Sequence, residues 1–269
     1  MAATKENPII LYDIPSKFES KCWSVNMWKT RLILNYKGLP YRTEWVSYPD
    51  IQAIFINLGI EPSGLKADGS GRPHYTCPSI IDPTAPKPTT VTESSAIAQY
   101  LEDAYPDVQP KIFPDGTREA QLQFIKDFLP VFVPPACTLI LPQMPNILLD
   151  PRGSEYFEQT RTVNYGRPLQ GIGLAGSEER KKAWEEFKAG LDKVAEIYDK
   201  NPEGNGEYFT GNAISFVDIW LAALFIWSKV PCDRDPEVGA KSVWDVIEKL
   251  NDGRWARFMR KFDDYLQVM

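Results

Sequence analysis

The residues whose types and spacing can do chemistry cluster near the start of the chain. Thr92-Glu93-Ser94 stands between the β-branched pair Thr90-Val91 and a run in which Ile97, Tyr100, Leu101 and Ala104 recur at helical spacing. A helix that opens on a carboxylate and a hydroxyl suits an amino acid. Free N–H groups of its first turn and the Ser94 hydroxyl attract a carboxylate, while Glu93 takes an ammonium. The plainer reading is that these residues cap a helix, with an acidic first turn complementing its dipole. Just upstream, Cys77-Pro78 leads into Ser79-Ile80-Ile81-Asp82. A proline ahead of a β-branched run fits a strand entrance, because it has no N–H to give an internal ladder. The Pro- and Lys-rich turn from Pro83 to Thr89 then returns the chain to Thr90-Val91 as a second strand.

The elements that must position this group begin at Ile9-Ile10-Leu11-Tyr12-Asp13, an apolar run that reads as a first buried strand. After a loop from Ser16 to Trp23, the stretch from Ser24 to Gly38 carries Trp28, Leu32 and Tyr36 on one helical face and stops at Lys37-Gly38. Tyr41 to Val46 alternates like a strand, and 50–58 is loosely helical. The first hundred residues thus run strand, helix, strand, helix, strand, hairpin, strand, helix, which is the thioredoxin-like order.

Composition narrows the class. A chain of 269 residues with 43% hydrophobic and 12% aromatic residues has enough apolar material for a packed core, which argues against disorder. Thirty basic against 36 acidic residues give a net charge of −6, so no footprint for nucleic acid or an anionic membrane is expected. No apolar run approaches the ~20 residues that span a bilayer, and the N-terminus lacks a signal peptide's apolar core. Cys22, Cys77, Cys137 and Cys232 are scattered without metal-ligand spacing, and His74 is the single histidine. A zinc site or a His-based triad is therefore not expected, and the cysteines read as reduced thiols of a cytoplasmic protein.

The order of Cys77-Pro78 and Glu93-Ser94 resembles the glutathione transferases. There a cis proline closes the backbone against the tripeptide, and an acidic residue followed by Ser grips its γ-glutamyl end. A second resemblance lies at Ser24-Val25-Asn26-Met27-Trp28-Lys29-Thr30-Arg31, which is similar to the active-site helix of serine-type members such as the zeta class and the bacterial β-etherases. Together with Tyr36-Lys37-Gly38-Leu39-Pro40-Tyr41 and Tyr48-Pro49-Asp50-Ile51, it looks closest to the etherase-related (fungal-specific class A) transferases of wood-decay fungi. The resemblance implies Ser24 as the catalytic residue, Asn26, Cys77, Pro78, Glu93 and Ser94 as glutathione-binding residues, no metal, and a homodimer. Cys77 stands where these proteins more often have an aliphatic residue; its backbone serves the tripeptide, so little loss follows. Cys22, two residues before Ser24, offers a rival nucleophile.

Beyond the three prolines of 106–114 the pattern turns helical, so 1–106 reads as a thioredoxin-like glutathione-binding domain and 107–269 as an all-helical domain lining a hydrophobic substrate site. Leu122, Ile125, Phe128 and Leu129 form an apolar stripe. The segment 134–151 has five prolines, which forbid one regular helix, and its apolar residues either line a binding cavity or cover a core. With the aromatics of the last helix, 134–149 is expected to build a pocket beside Ser24. Trp184, Phe187, Leu191, Val194 and Tyr198 have core spacing. Ser215 and Asp218 form a capping box with Ile214 and Ile219 as its staple. The string from Gly211 to Asp218 resembles the folding motif of the transferases' helical domain. Trp255, Phe258, Phe262, Tyr265 and Leu266 suggest a last helix. The chain is thus expected to be a glutathione transferase acting on hydrophobic aromatic electrophiles, by conjugation or cleavage, and binding phenolic compounds as a ligandin. A Cys22-dependent glutathione thiol reductase or deglutathionylase and a non-catalytic aromatic-ligand binder are the alternatives.

Overall fold

Ile9, Leu11, Tyr12 and Asp13 are all buried, and the strand they form is one of the two interior strands of the sheet. The computed structural model describes residues 3–84, 87–148, 150–235 and 239–269, residue 129 by its backbone alone. In chain order the elements are β1 (Ile9–Asp13), α1 (Val25–Tyr36), β2 (Tyr41–Trp45), α2 (Ile51–Leu58), β3 (Gly64–Leu65), β4 (Pro73–His74), β5 (Ser79–Asp82), β6 (Thr89–Thr92) and α3 (Ser94–Ala104). They continue with α4 (Arg118–Ile140), α5 (Met144–Ile147), α6 (Pro151–Tyr165), α7 (Glu178–Asp199), α8 (Phe216–Ser228), α9 (Trp244–Ile247) and α10 (Arg254–Arg260). Two compact units interleave along the chain. One holds 1–110, 145–167 and 265–269; the other holds 111–144 and 168–264.

In the first unit the sheet order is β2-β1-β5-β6. β1 and β2 are parallel, with Ile9 beside Tyr41 and Asp13 beside Trp45, so a crossover must join them. That crossover is α1, buried along Met27 to Leu34, and Gly38 ends it at φ +62, a conformation favouring glycine. β5 runs antiparallel to β1 and to β6, pairing Ile80 with Leu11 and with Val91. This is the thioredoxin-like order read from the sequence. The strand after Pro78 begins at Ser79, and an extra short hairpin, β3 with β4, precedes it. Tyr265 and Leu266 do not extend the last helix, which ends at Arg260. Instead the C-terminal residues belong to the sheet unit. Asn35 Nδ2 donates to the carbonyls of Tyr265 (2.6 Å) and Gln267 (2.9 Å), Tyr41 OH donates to Gln267 O, and the Tyr265 ring meets Tyr36 edge-on.

The second unit is helical. α4 passes through Pro130, Pro134 and Pro135 without ending, and it bends by 52° between Phe128 and Pro130. Each missing N–H removes one bond, and buried side chains on either side hold the turns together. Ala136, Leu139, Ile140 and Met144 here, and Ile147 and Leu148 in the first unit, are buried; this stretch is core. α7 lies against α4, with Phe132 and Phe187 4.5 Å apart and Gly190 leaving room for Phe132. Phe187, Leu191, Val194 and Tyr198 are buried as their spacing implies. Trp184 is half-buried, its indole N–H donating to Asp235 (2.9 Å). The Ser215–Asp218 capping box opens α8, whose aliphatic and aromatic residues are buried almost throughout.

Candidate active site

Ser24 is the N-cap of α1, extended at φ −80, ψ 133, and its carbonyl accepts the first helical bond from Trp28 N. Its hydroxyl makes no capping hydrogen bond and lines a cavity of about 500 Å³. Asn26, Cys77, Pro78 and Glu93 line the same cavity, all within the sheet unit. The Cys77-Pro78 bond is cis, and Pro78 O accepts from Glu93 N at 3.2 Å, which ties the entrance of β5 to the start of α3.

Glu93 caps α3 with a backbone at φ +81, outside the region where L residues are comfortable. Its carboxylate accepts from Ser95 N (2.9 Å) and from the Ser94 hydroxyl (3.2 Å). Ser94 itself is buried and does not line the cavity; it stands behind Glu93. The capping reading thus holds for Glu93, and the cap leaves an exposed carboxylate at the cavity wall.

Cys22 is buried, and its thiol faces the Asp13 carboxylate at 3.6 Å. Burial pushes the thiol far up, and the Asp13 charge adds to this against the opposing Arg31. A thiol so placed stays protonated at neutral pH and is a poor nucleophile. Cys77, also buried, is pushed up by burial and by the Asp13 charge, so its thiol stays protonated.

Other residues in and around the cavity were not singled out as site residues from the sequence. Lys29, one turn into α1, is buried and donates to Asn26 Oδ1 at 3.1 Å. Burial lowers its pKa to about 8, with the nearby Glu93 charge pulling the other way. Tyr48 stacks on Tyr156 of α6 with ring centres 6.1 Å apart, and burial pushes its phenol up to about 12. Arg161 of α6 lies 4.5 Å over the Phe157 ring and donates to Thr160 Oγ1 at 3.1 Å. His74 also lines the cavity, held below its ordinary pKa by burial and by the Arg161 and Lys66 charges. Residues 156–164 of α6 thus supply a helical wall of the cavity; none of 134–148 lines it, nor does α10, and residue 149 lies outside the described residues. The cavity beside Ser24 is thus not the one expected from 134–149 and the last helix; it is built from other residues, several of them charged.

The comparisons agree with this geometry. Residues 23–104 match the family described as glutathione S-transferase, N-terminal domain, and residues 120–265 match glutathione S-transferase, C-terminal domain. The chain belongs to the glutathione S-transferase family. It is 34% identical over 238 residues to the glutathione S-transferase-like protein ustS of Aspergillus flavus, covering 85% of this chain and 83% of that one. The crystal structure of glutathione transferase GSTFuA3 from Phanerochaete chrysosporium is 38% identical, with TM-score 0.85 over 97% of this chain and 98% of that one. The glutathione S-transferase CsGST63524 of Ceriporiopsis subvermispora, solved in complex with glutathione, is 36% identical, with TM-score 0.85 over 98% and 99%. The chain is accordingly a glutathione transferase with glutathione as co-substrate.

Proposed function

We propose that this transferase activates the glutathione thiol with Ser24 and joins it to hydrophobic aromatic electrophiles, or uses it to cleave them. The observation that carries the reading is the Ser24 hydroxyl, uncommitted at a helix N-terminus and on the same cavity as the cis Cys77-Pro78 bond and Glu93. A thiol of ordinary pKa near 8.5 is only a few per cent ionised at neutral pH. Lowering that by ~2 units requires about 2.7 kcal/mol in favour of the anion. A helix N-terminus supplies roughly 0.3–1 kcal/mol, and a hydroxyl donating to the thiolate about 1.5–3 kcal/mol. Ser24 brings both, so no general base is required. Asn26 can donate from the first turn. Glu93, held by Ser94 and Ser95, takes the γ-glutamyl ammonium, and the Cys77 backbone pairs with the tripeptide.

The stacked Tyr48 and Tyr156 rings favour an aromatic partner, as acceptor or as ligandin cargo. The kinship with serine-type, etherase-related members, supported by the Ser24 motif, a cytoplasmic site, supported by the lack of a disulfide among the described residues, and homodimeric assembly, which rests on the family resemblance alone, belong to the same reading. The test compares Ser24→Ala with Cys22→Ser in conjugation at pH 6.5. Ser24→Ala is expected to lose at least ten-fold, and Cys22→Ser to keep most of the rate. Loss on Cys22→Ser together with disulfide reductase activity in the parent would transfer the chemistry to the thiol.

A further inference from the structure

The charges that face the cavity do not cancel. Its cations are Lys66, Arg72 and Arg161, and its acids are Asp68 and Glu93. Arg72 is paired with Asp68 at 3.3 Å, and the Glu93 carboxylate is engaged at the start of α3. Lys66 and Arg161 have no salt bridge among the described residues. Arg161 is the better placed of the two. Its guanidinium rests on the Phe157 face and is steered by Thr160 Oγ1, so little freedom is lost when it binds. Tyr48, which stacks on Tyr156, also packs against Phe157 with ring centres 5.5 Å apart. An aromatic platform and a fixed guanidinium therefore share one patch of the wall, and His74 beside them is kept neutral at pH 7 by burial and by that same cation.

A planar guanidinium without an anion in a half-buried wall matches a carboxylate through two parallel N–H···O bonds. The stacked tyrosines match a planar ring. We propose that Arg161 selects acceptors in which a reactive carbon is carried on an aromatic ring bearing a carboxylate. The proposal deepens the transferase reading above and rests on it for the reaction itself. In that reaction the glutathione sulfur attacks the benzylic carbon of a chloromethyl arene. The C–S bond forms, the C–Cl bond breaks with its electron pair leaving as chloride, and the thiol proton passes to solvent.

The test uses 4-(chloromethyl)benzoate and its methyl ester, which differ in charge and hardly in shape at the reacting carbon. In the parent, kcat/KM for the acid is expected to exceed that for the ester by at least ten-fold after correction for the uncatalysed rates. In Arg161→Gln the ratio falls to near one, and in Arg161→Lys it is partly restored. A parent with no preference for the acid overturns the proposal. So does an unchanged ratio in Arg161→Gln accompanied by a ten-fold rise in the KM for glutathione, which would assign Arg161 to a carboxylate of the tripeptide. Calorimetry with unreactive 4-methylbenzoate, in the presence of glutathione, separates this proposal from the reaction it rests on. If neither chloromethyl compound reacts but 4-methylbenzoate binds the parent and is lost at least ten-fold in Arg161→Gln, the carboxylate site stands and the Ser24 chemistry falls. No binding of 4-methylbenzoate to the parent removes the site.

Discussion

The Arg31 guanidinium and the Asp13 carboxylate meet at 2.7 Å with neither side chain exposed to solvent. Arg31 also donates to Tyr41 OH (3.2 Å) and Thr43 Oγ1 (3.0 Å), so one side chain of α1 ties the end of β1 to two residues of β2. The pair sits directly behind Ser24 in sequence terms: Asp13 ends the strand that leads to it, and Arg31 lies two turns after it. Burial pushes the Asp13 carboxyl up, and the guanidinium opposes this.

Removing one partner should cost far more than removing both. Asp13→Ala leaves a buried guanidinium without its counter-charge and is expected to cost about 3–5 kcal/mol in a denaturant melt. The double variant Asp13→Leu, Arg31→Met should cost clearly less than the sum of the single changes, because no orphan charge remains. A single-variant cost below ~1 kcal/mol would show that water reaches the pair on the unfolding timescale and that the fold does not depend on it.

Lys29 gives the molecule a pH dependence whose sign is fixed by its burial. Its pKa lies at about 8 in the fold against an ordinary 10.5. Between those values the unfolded chain holds the proton and the native chain does not, so stability rises with pH across that window. Below pH 8 both states are charged, and the cost of burying the ammonium is present in full, on the order of 3 kcal/mol at most. Lys29→Met is therefore expected to gain stability on the parent at pH 7 and to lose most of that advantage by pH 10. Paired urea melts at pH 7, 8.5 and 10 read this directly. A difference between the two proteins that stays constant with pH contradicts a buried, charge-penalised lysine.

In the helical unit the Asp218 carboxylate is a hub as well as a cap. It accepts from Ser215 N (2.8 Å), Ser215 Oγ (2.6 Å), Tyr198 OH (2.6 Å) and Phe209 N (3.0 Å) with no exposure to solvent. Ser215→Ala is expected to cost about 1 kcal/mol, the usual loss of an N-cap side chain. Asp218→Ala strands several donors, including the fully buried Tyr198 hydroxyl, and should cost at least ~3 kcal/mol. Equal costs would mean that Asp218 acts only within its own helix turn.

The sequence made the scaffold legible because its signals are local. Apolar alternation marks β1 and β2, Lys37-Gly38 marks the end of α1, and Ser215 to Asp218 spells out a cap. Ser24, Cys77-Pro78 and Glu93 were found through motif order, and the structure brings them to one cavity. What escaped was long-range. Tyr156 and Arg161 reach the cavity from more than sixty residues beyond Glu93, and no spacing rule foretells that α6 returns to the sheet unit. Lys29 stood in the motif after Ser24, but nothing in the sequence showed that its side chain is buried. The prolines of 134–151 do prevent one regular helix, since the stretch is divided among the end of α4, a 3₁₀ turn at 141–143, α5 and the start of α6. What the local rule did not give is that α4 continues through Pro134 and Pro135, where Phe132, Ala136 and Leu139 are packed.

Glu93 offers a prediction in which stability and affinity move apart. A non-glycine residue at φ +81 carries backbone strain on the order of 1–3 kcal/mol, which glycine would not. The cap bond from Glu93 to Ser95 N works against that strain, but replacing a capping side chain by glycine costs only a few tenths of a kcal/mol. Glu93→Gly should therefore leave the protein as stable as the parent or slightly more so. Its glutathione affinity should nevertheless fall at least ten-fold, because the carboxylate proposed to meet the γ-glutamyl ammonium is gone, and a charge-assisted bond of this kind contributes about 1.5–3 kcal/mol. Ser94→Ala removes only the hydroxyl that steers that carboxylate and is expected to weaken binding roughly ten-fold by the same measure. Calorimetric titration with glutathione beside a thermal melt of each variant reads both quantities. Affinity preserved in Glu93→Gly would reduce Glu93 to a helix cap. Stability and affinity lost together would mean that the strained backbone is not relieved by glycine and that the binding loss is secondary to unfolding of the first turn of α3.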